Sequence, residues 1–316
     1  MTFNLNRWIA ALLLLPYAVF SGVLAFSPVG RDFNEAVSSL RTNLSDYTVT
    51  VENVNDDYST KDMAKSIKDQ NPEVVVLFDN KSIRLYHAFL DEYKPSNPPP
   101  VVALMALQIE SSLVGIPNVI GISYEIPAVT TASRLRSLWS SPIRKVGVVY
   151  RASMEKFFLE NQKFCKVEQI ALVGQKISDE TDDLNHDVRI SLQNLVWNDQ
   201  VDALWILNDN KLLSAKLIRD VWIPFMKSNA KPGIVGFELL AQTKIGVGVI
   251  AVLPDNVGLG AQAANLVYEI MDNGKKVETK RIDLPLAVIQ VLNTTLAHRL
   301  GALRPDAEKL VDRVVE

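Results

Sequence analysis

The sequence predicts an α/β protein of two Rossmann-like lobes, each on a parallel sheet, behind an N-terminal signal peptide. Three observations predict it. Strand and helix periodicities alternate along most of the chain. Several strands read as unbroken apolar runs, as in Glu73 to Phe78 and Val101 to Met105, the pattern of strands covered on both faces. The alternation pauses at a seam near Asn118 to Pro127 and then restarts. Strands joined by helices of this length form βαβ units. The 316 residues, 48% of them hydrophobic, suffice for two domains with separate cores.

Taken in order, Val23 to Phe26 supplies a first strand. Phe33, Ala36, Val37, Leu40 and Leu44 share one helical face. Tyr47 to Val54 reads as a strand, Lys61 to Asp69 as a helix, Glu73 to Phe78 as a strand and Ser82 to Tyr93 as a helix. Pro98-Pro99-Pro100 leads into the strand Val101 to Met105. Beyond the seam, the helix Thr130 to Ser141 precedes the strand Lys145 to Tyr150. Next come the helix Ser153 to Lys166, the strand Gln169 to Val173, the helix Asp183 to Trp197 and the strand Asp202 to Leu207. Lys211 to Met226 reads as helical until Pro224 disrupts it. Gly233 to Phe237 and Val247 to Leu253 read as strands. Val257 to Met271 reads as a helix stopped by Asn273-Gly274.

The first twenty residues have the secretory pattern. Arg7 is the positive n-region, Trp8 to Leu15 the apolar h-region, and small residues follow at Ala18, Ser21 and Gly22. The apolar run is short for a membrane span, although an uncleaved N-terminal anchor is the alternative. The protein is therefore expected in the periplasm. Because Val23 to Phe26 is needed as a strand, cleavage is expected near Ser21 or Gly22, making residues 1–21 the signal.

Charged residues are 22% with a formal net charge of −3, and no basic patch stands out, which argues against a nucleic-acid partner. The single cysteine, Cys165, excludes an intramolecular disulfide and reads as a small buried hydrophobe. No nucleophile elbow, P-loop or HExxH motif occurs, so no enzyme activity is expected. Gly258-Leu259-Gly260 lacks the third glycine of a dinucleotide fingerprint. His87, His186 and His298 are scattered, without a second ligand at helical spacing, so neither a metal nor a cofactor is expected. Asp179 to Asp183 reads as favourable charge at a helix N-terminus.

What remains are the residues just past the strands, where ligands bind in parallel α/β sheets. These are Ser27 and Val29, Asp79 and Asn80, Met105 and Gln108, Tyr124 and Glu125, and Tyr150 and Arg151. Further on come Asn208, Asp209 and Asn210, then Phe237 and Glu238, then Asp255 and Asn256. The expected ligand set is Ser27, Asp79, Asn80, Met105, Tyr124, Tyr150, Asn208, Asp209, Asn210, Phe237, Glu238 and Asp255. For Asn208 to Asn210, helix capping and ligand contact are both open. Tyr124 and Phe237 could stack on an aromatic ligand or pack at a hinge.

Several segments resemble a known family. Lys145 to Tyr150 resembles the strand opening the second lobe of a group of ABC-transporter substrate-binding proteins, the group that includes binders of tryptophan and tyrosine. Val201 to Asn210 (VDALWILNDN) resembles their "VDALyvptDN" segment, and Pro232 to Glu238 their "IPvfgsde" strand. Gly258 to Ala264 is similar to "elGrqAA", and Asn293 to Gly301 to "lNlktAkklGi". The match covers most of the chain after Asn118. It implies the type I periplasmic-binding (Venus-flytrap) fold, with two lobes closing on a ligand. Residues 22–122 plus about 254–285 would form lobe 1, and 123–253 plus about 286–316 lobe 2. It implies a monomeric exported protein that captures a small molecule, such as an aromatic amino acid or related solute, and passes it to an ABC permease. The alternative is a periplasmic sensing or interaction subunit for a membrane sensor kinase, without transport. The chain departs from the family pattern at Phe78 to Lys81, where a Gly-Ser/Thr turn is usual. It departs again at Arg151-Ala152, in place of Asn-Pro, and at Met105 to Gln108.

Overall fold

The computed structural model describes residues 22–315, so the expected signal lies outside the described residues. The first lobe opens with β1 (Gly22–Ser27), α1 (Arg31–Asn43), β2 (Thr48–Asn53), α2 (Thr60–Gln70) and β3 (Val74–Phe78). It continues through α3 (Asp79–Tyr93), β4 (Val101–Leu104), α4 (Ile109–Ser112) and β5 (Val119–Ile122). The chain then crosses to the second lobe. There it forms α5 (Ala128–Leu138), β6 (Lys145–Arg151), α6 (Glu155–Val167), β7 (Ala171–Ile177), α7 (Leu184–Gln193) and β8 (Ala203–Ile206). These are followed by α8 (Ala215–Leu217), α9 (Ile223–Ser228), β9 (Gly233–Val235), α10 (Glu238–Ala241) and β10 (Ile250–Pro254). It returns to the first lobe for α11 (Asn256–Asp272) and β11 (Arg281–Asp283). It ends on the second with β12 (Val288–Asn293), α12 (Thr294–Leu300) and β13 (Arg313–Val315).

The first sheet has the order β11-β5-β4-β3-β1-β2 and is parallel throughout. The second has the order β13-β12-β10-β9-β8-β6-β7, with β12 antiparallel to β10. Alternate residues of a strand enter different cores. Val74, Val76 and Phe78 pack under α1 and α11, while Val75 and Leu77 pack under α2 and α3. Cover on both faces is why these strands read as continuous apolar runs. β1 is bonded on both sides, with Val23 opposite Val49 of β2 and Val74 of β3. Its loss would split the sheet.

Most expected elements are present within a few residues. Three differences have physical causes. The helix expected from Lys211 starts at Ala215, capped by the Ser214 hydroxyl, because Asp209 organises a turn first. Pro224 does not end that helix. A π turn over Ile218–Trp222 precedes it, and the Asp220 carbonyl, which Pro224 has no N–H to meet, is met by Arg189 at 3.4 Å. A second π turn, Asn194–Asn198, closes the helix expected to run regularly to Trp197. The seam itself contains β5, a four-residue strand between β4 and β11.

Candidate functional site

In each sheet the parallel strands end on the side where the chain crosses between lobes. The crossings are tied to one another. The Ser123 amide donates to Asp283 O at 2.8 Å and the Asp255 amide to Ala287 O at 3.0 Å. The Gln262 side chain donates to Leu284 O at 3.0 Å and accepts from the Leu286 amide at 3.1 Å. This hinge fixes the strand ends of the two lobes beside one another.

On the first lobe, Ser27 is buried and its hydroxyl donates to Pro28 O at 3.1 Å. Asp79 takes the left-handed region at φ 76, which favours glycine, and its carboxylate accepts from the Ser82 amide at 2.8 Å. Burial pushes the Asp79 carboxyl up. The Asn80 side chain is engaged within the first lobe: its amide donates to Leu107 O at 2.7 Å and accepts from Leu107 N at 2.9 Å. Met105 is buried in the first-lobe core, also in a left-handed conformation (φ 55). Tyr124 packs half-buried against the same core, and its hydroxyl is pushed up to about 12, first by burial and then by Asp32 and Glu125.

On the second lobe, Tyr150 is buried and stacks on Phe158 at 4.4 Å between ring centroids, so it belongs to the core under α6. Asp209 is 1% exposed, accepts from the amides of Lys211 (2.8 Å) and Leu212 (3.1 Å), and pairs with Arg151 at 2.8 Å. Arg151 also holds Asp179 at 2.5 Å. Asp209 is therefore a capping and ion-pair residue, and Asn210 beside it is exposed. Phe237 is half-buried against the second-lobe core, and Glu238 pairs with Arg313 at 2.9 Å. Asp255 caps α11, accepting from the amides of Val257 (3.2 Å) and Gly258 (3.1 Å).

Asn208 differs from all of these. It is 7% exposed, yet its Oδ1 has no hydrogen-bond partner. Its carboxamide lies over Gly236, where an added Cβ would come within 2.4 Å of it, so glycine is what leaves the amide room. Beside it is a space of about 20 Å³ lined by Glu125, Thr131, Trp205, Asn208, Val235 and Gly236 among others. Glu125 stood among the strand-end residues, but the expected ligand set omits it. It is 8% exposed; Oε1 accepts from the Gln108 amide at 2.5 Å and Oε2 from the Ser123 hydroxyl at 3.4 Å. Burial pushes its carboxyl up. The sequence signal for it was only its position, two residues before Pro127 on the crossing segment. Among the described residues no cluster of His, Cys, Asp and Glu is arranged to hold a metal, and no helix is long and apolar enough to cross a membrane.

No family model and no curated protein matches the sequence. Solved structures do resemble it. One is an ABC domain in complex with L-Trp from Streptococcus pneumoniae: 16% identity, TM-score 0.59, covering 94% of this chain and 100% of that one. Another is the ligand-free, open form of a substrate-binding protein with adhesive properties from Clostridium difficile: 14% identity, TM-score 0.67, covering 93% and 99%. A third is a conserved domain protein from Vibrio cholerae: 17% identity, TM-score 0.58, covering 93% and 99%. With one parallel and one mostly parallel sheet in its two lobes and three crossings between them, the chain has the type I periplasmic-binding fold.

Proposed function

We propose that this protein is an exported solute-binding protein that captures a small molecule, an aromatic amino acid or a related solute, between its lobes and delivers it to an ABC permease. The observation that carries the reading is the unpaired, nearly buried amide of Asn208 at the strand ends, beside Glu125 from the crossing segment. A buried polar atom without a partner costs on the order of 1–3 kcal/mol, and a ligand that supplies the partner recovers it. Contact with both lobes exists only when they close, so binding shifts the population toward the closed state.

A thermal-shift screen against amino acids, amines, nucleosides, sugars and small carboxylates tests this. A ligand at about a hundred times its Kd should raise the melting temperature by roughly 5 °C or more. No shift across the panel from folded protein would overturn solute capture and favour the interaction-subunit reading.

A further inference from the structure

The charges around the strand ends are not balanced in the way a carboxylate-bearing ligand requires. A carboxylate needs a free cation or a free cluster of N–H donors. Three arginines belong to these turns, and each is taken. Arg31 pairs with Glu35 at 3.0 Å, Arg151 with Asp179 and Asp209, and Arg313 with Glu238 at 2.9 Å. Lys81 is held by the Asn55 carbonyl and Lys156 by Glu110. Lys211 is exposed, where solvent and salt screen its charge.

The acids tell the opposite story. Among the described residues Asp79 and Glu125 have no basic partner within ion-pair distance, although Glu125 is 8% exposed. At the small space by Gly236 one hydroxyl donor is spent and one buried acceptor is not. The Thr131 hydroxyl donates to Ala128 O at 3.1 Å, while Oδ1 of Asn208 accepts nothing. About 20 Å³ is room for about one water, or for one ammonium head of similar size. The surrounding Ile126, Trp205, Val235 and Val252 side chains are apolar, which strengthens any charge pairing made there.

We propose that the cleft takes a ligand with a cationic nitrogen and no carboxylate, an amine rather than an amino acid, its ammonium held by Glu125 and by Oδ1 of Asn208. This rests on the solute-capture reading and narrows its ligand class.

Calorimetric titration of the protein purified from expression of the full chain tests it, with two matched sets of probes. The aromatic set is tryptamine, L-tryptophan and indole-3-propionate; the aliphatic set is pentylamine, L-norleucine and hexanoate. In at least one set the amine should bind at least about tenfold tighter than the amino acid, and the carboxylate weakest of all. Glu125→Gln should weaken the amine about tenfold and leave the carboxylate unchanged. Asn208→Asp, isosteric and able to report should Glu125→Gln not fold, should tighten the amine selectively. An amino acid or carboxylate binding as tightly as its amine would overturn the proposal while leaving solute capture standing. So would variants that leave the amine-to-carboxylate ratio unchanged, which would make the space a water site. Binding by none of the six probes would overturn the amine proposal, and the broader thermal-shift panel would then decide solute capture by itself.

Discussion

At the scale of single residues, the site is defined by what is left unpaired. Gly236 lets the Asn208 amide lie where a Cβ would intrude. Gly236→Ala should therefore move Asn208, cost about 1–3 kcal/mol of stability and weaken ligand binding, as read by urea denaturation and titration. Glu125 makes a pH-dependent prediction. Burial holds its carboxyl above the ordinary value, so the folded protein binds this proton more tightly than the unfolded chain. Stability is then highest below the unfolded value, about 4.3, and falls as pH rises through the folded value. Asp79, also raised by burial, acts in the same direction. Acids held low, such as Asp179, with the Ser153 hydroxyl bond its largest cause, lose their contribution only as pH falls below the ordinary range. Glu125→Gln should flatten the decline in urea midpoint above about pH 4 without changing the acid limb. An unchanged decline would mean that the fold binds the Glu125 proton no more tightly than the unfolded chain does. None of this was legible in sequence, where Asn208, Asp209 and Asn210 look alike. The fold assigns them to an unpaired amide, a buried cap and an exposed side chain, because only contacts across the chain separate them.

At the scale of elements, sequence and structure agree where a strand is covered on both faces. β3, β4 and β8 are wholly buried, and their apolar runs announce them. The strands β5, β11, β12 and β13 were not read: β5 lies in the seam and is interrupted by Gly121, and β11 and β13 are three-residue edge strands. Pro224 misled for a related reason: a π turn and Arg189 supply what a local rule says is missing. The packing of α1 on α11 gives an element-scale prediction. At Gly260 an added Cβ would come within 2.1 Å of Ala36 O, so the two helices touch backbone to backbone. The Ser39 hydroxyl seals the contact by donating to Val257 O at 2.7 Å. Gly260→Ala must separate the helices and should lower stability by about 1–3 kcal/mol, seen as a lower denaturation midpoint. Wild-type stability in that variant would mean that the helices are further apart.

At the scale of the molecule, two lobes were legible because the strand–helix alternation stops and restarts. The returns of the chain to each lobe came only from the family resemblance, since a crossing is a topological fact with no local pattern. Tryptophan distribution then gives the whole-molecule prediction. Trp139, Trp197, Trp205 and Trp222 all belong to the second lobe, and of these Trp205 lines the space beside Asn208 and Glu125. Trp205 is 5% exposed and near Phe157 at 6.0 Å between ring centroids, so its surroundings change little unless that space is filled or the lobes move. Ligand addition should shift tryptophan emission and lower the radius of gyration in small-angle scattering, since closure brings the strand ends together. Trp205→Phe should abolish most of the emission change while retaining the scattering change and the calorimetric signal. An emission change that survives in Trp205→Phe would locate the ligand elsewhere. A ligand that binds without compaction would mean recognition by one lobe alone, and closure would then have no differential contact to drive it.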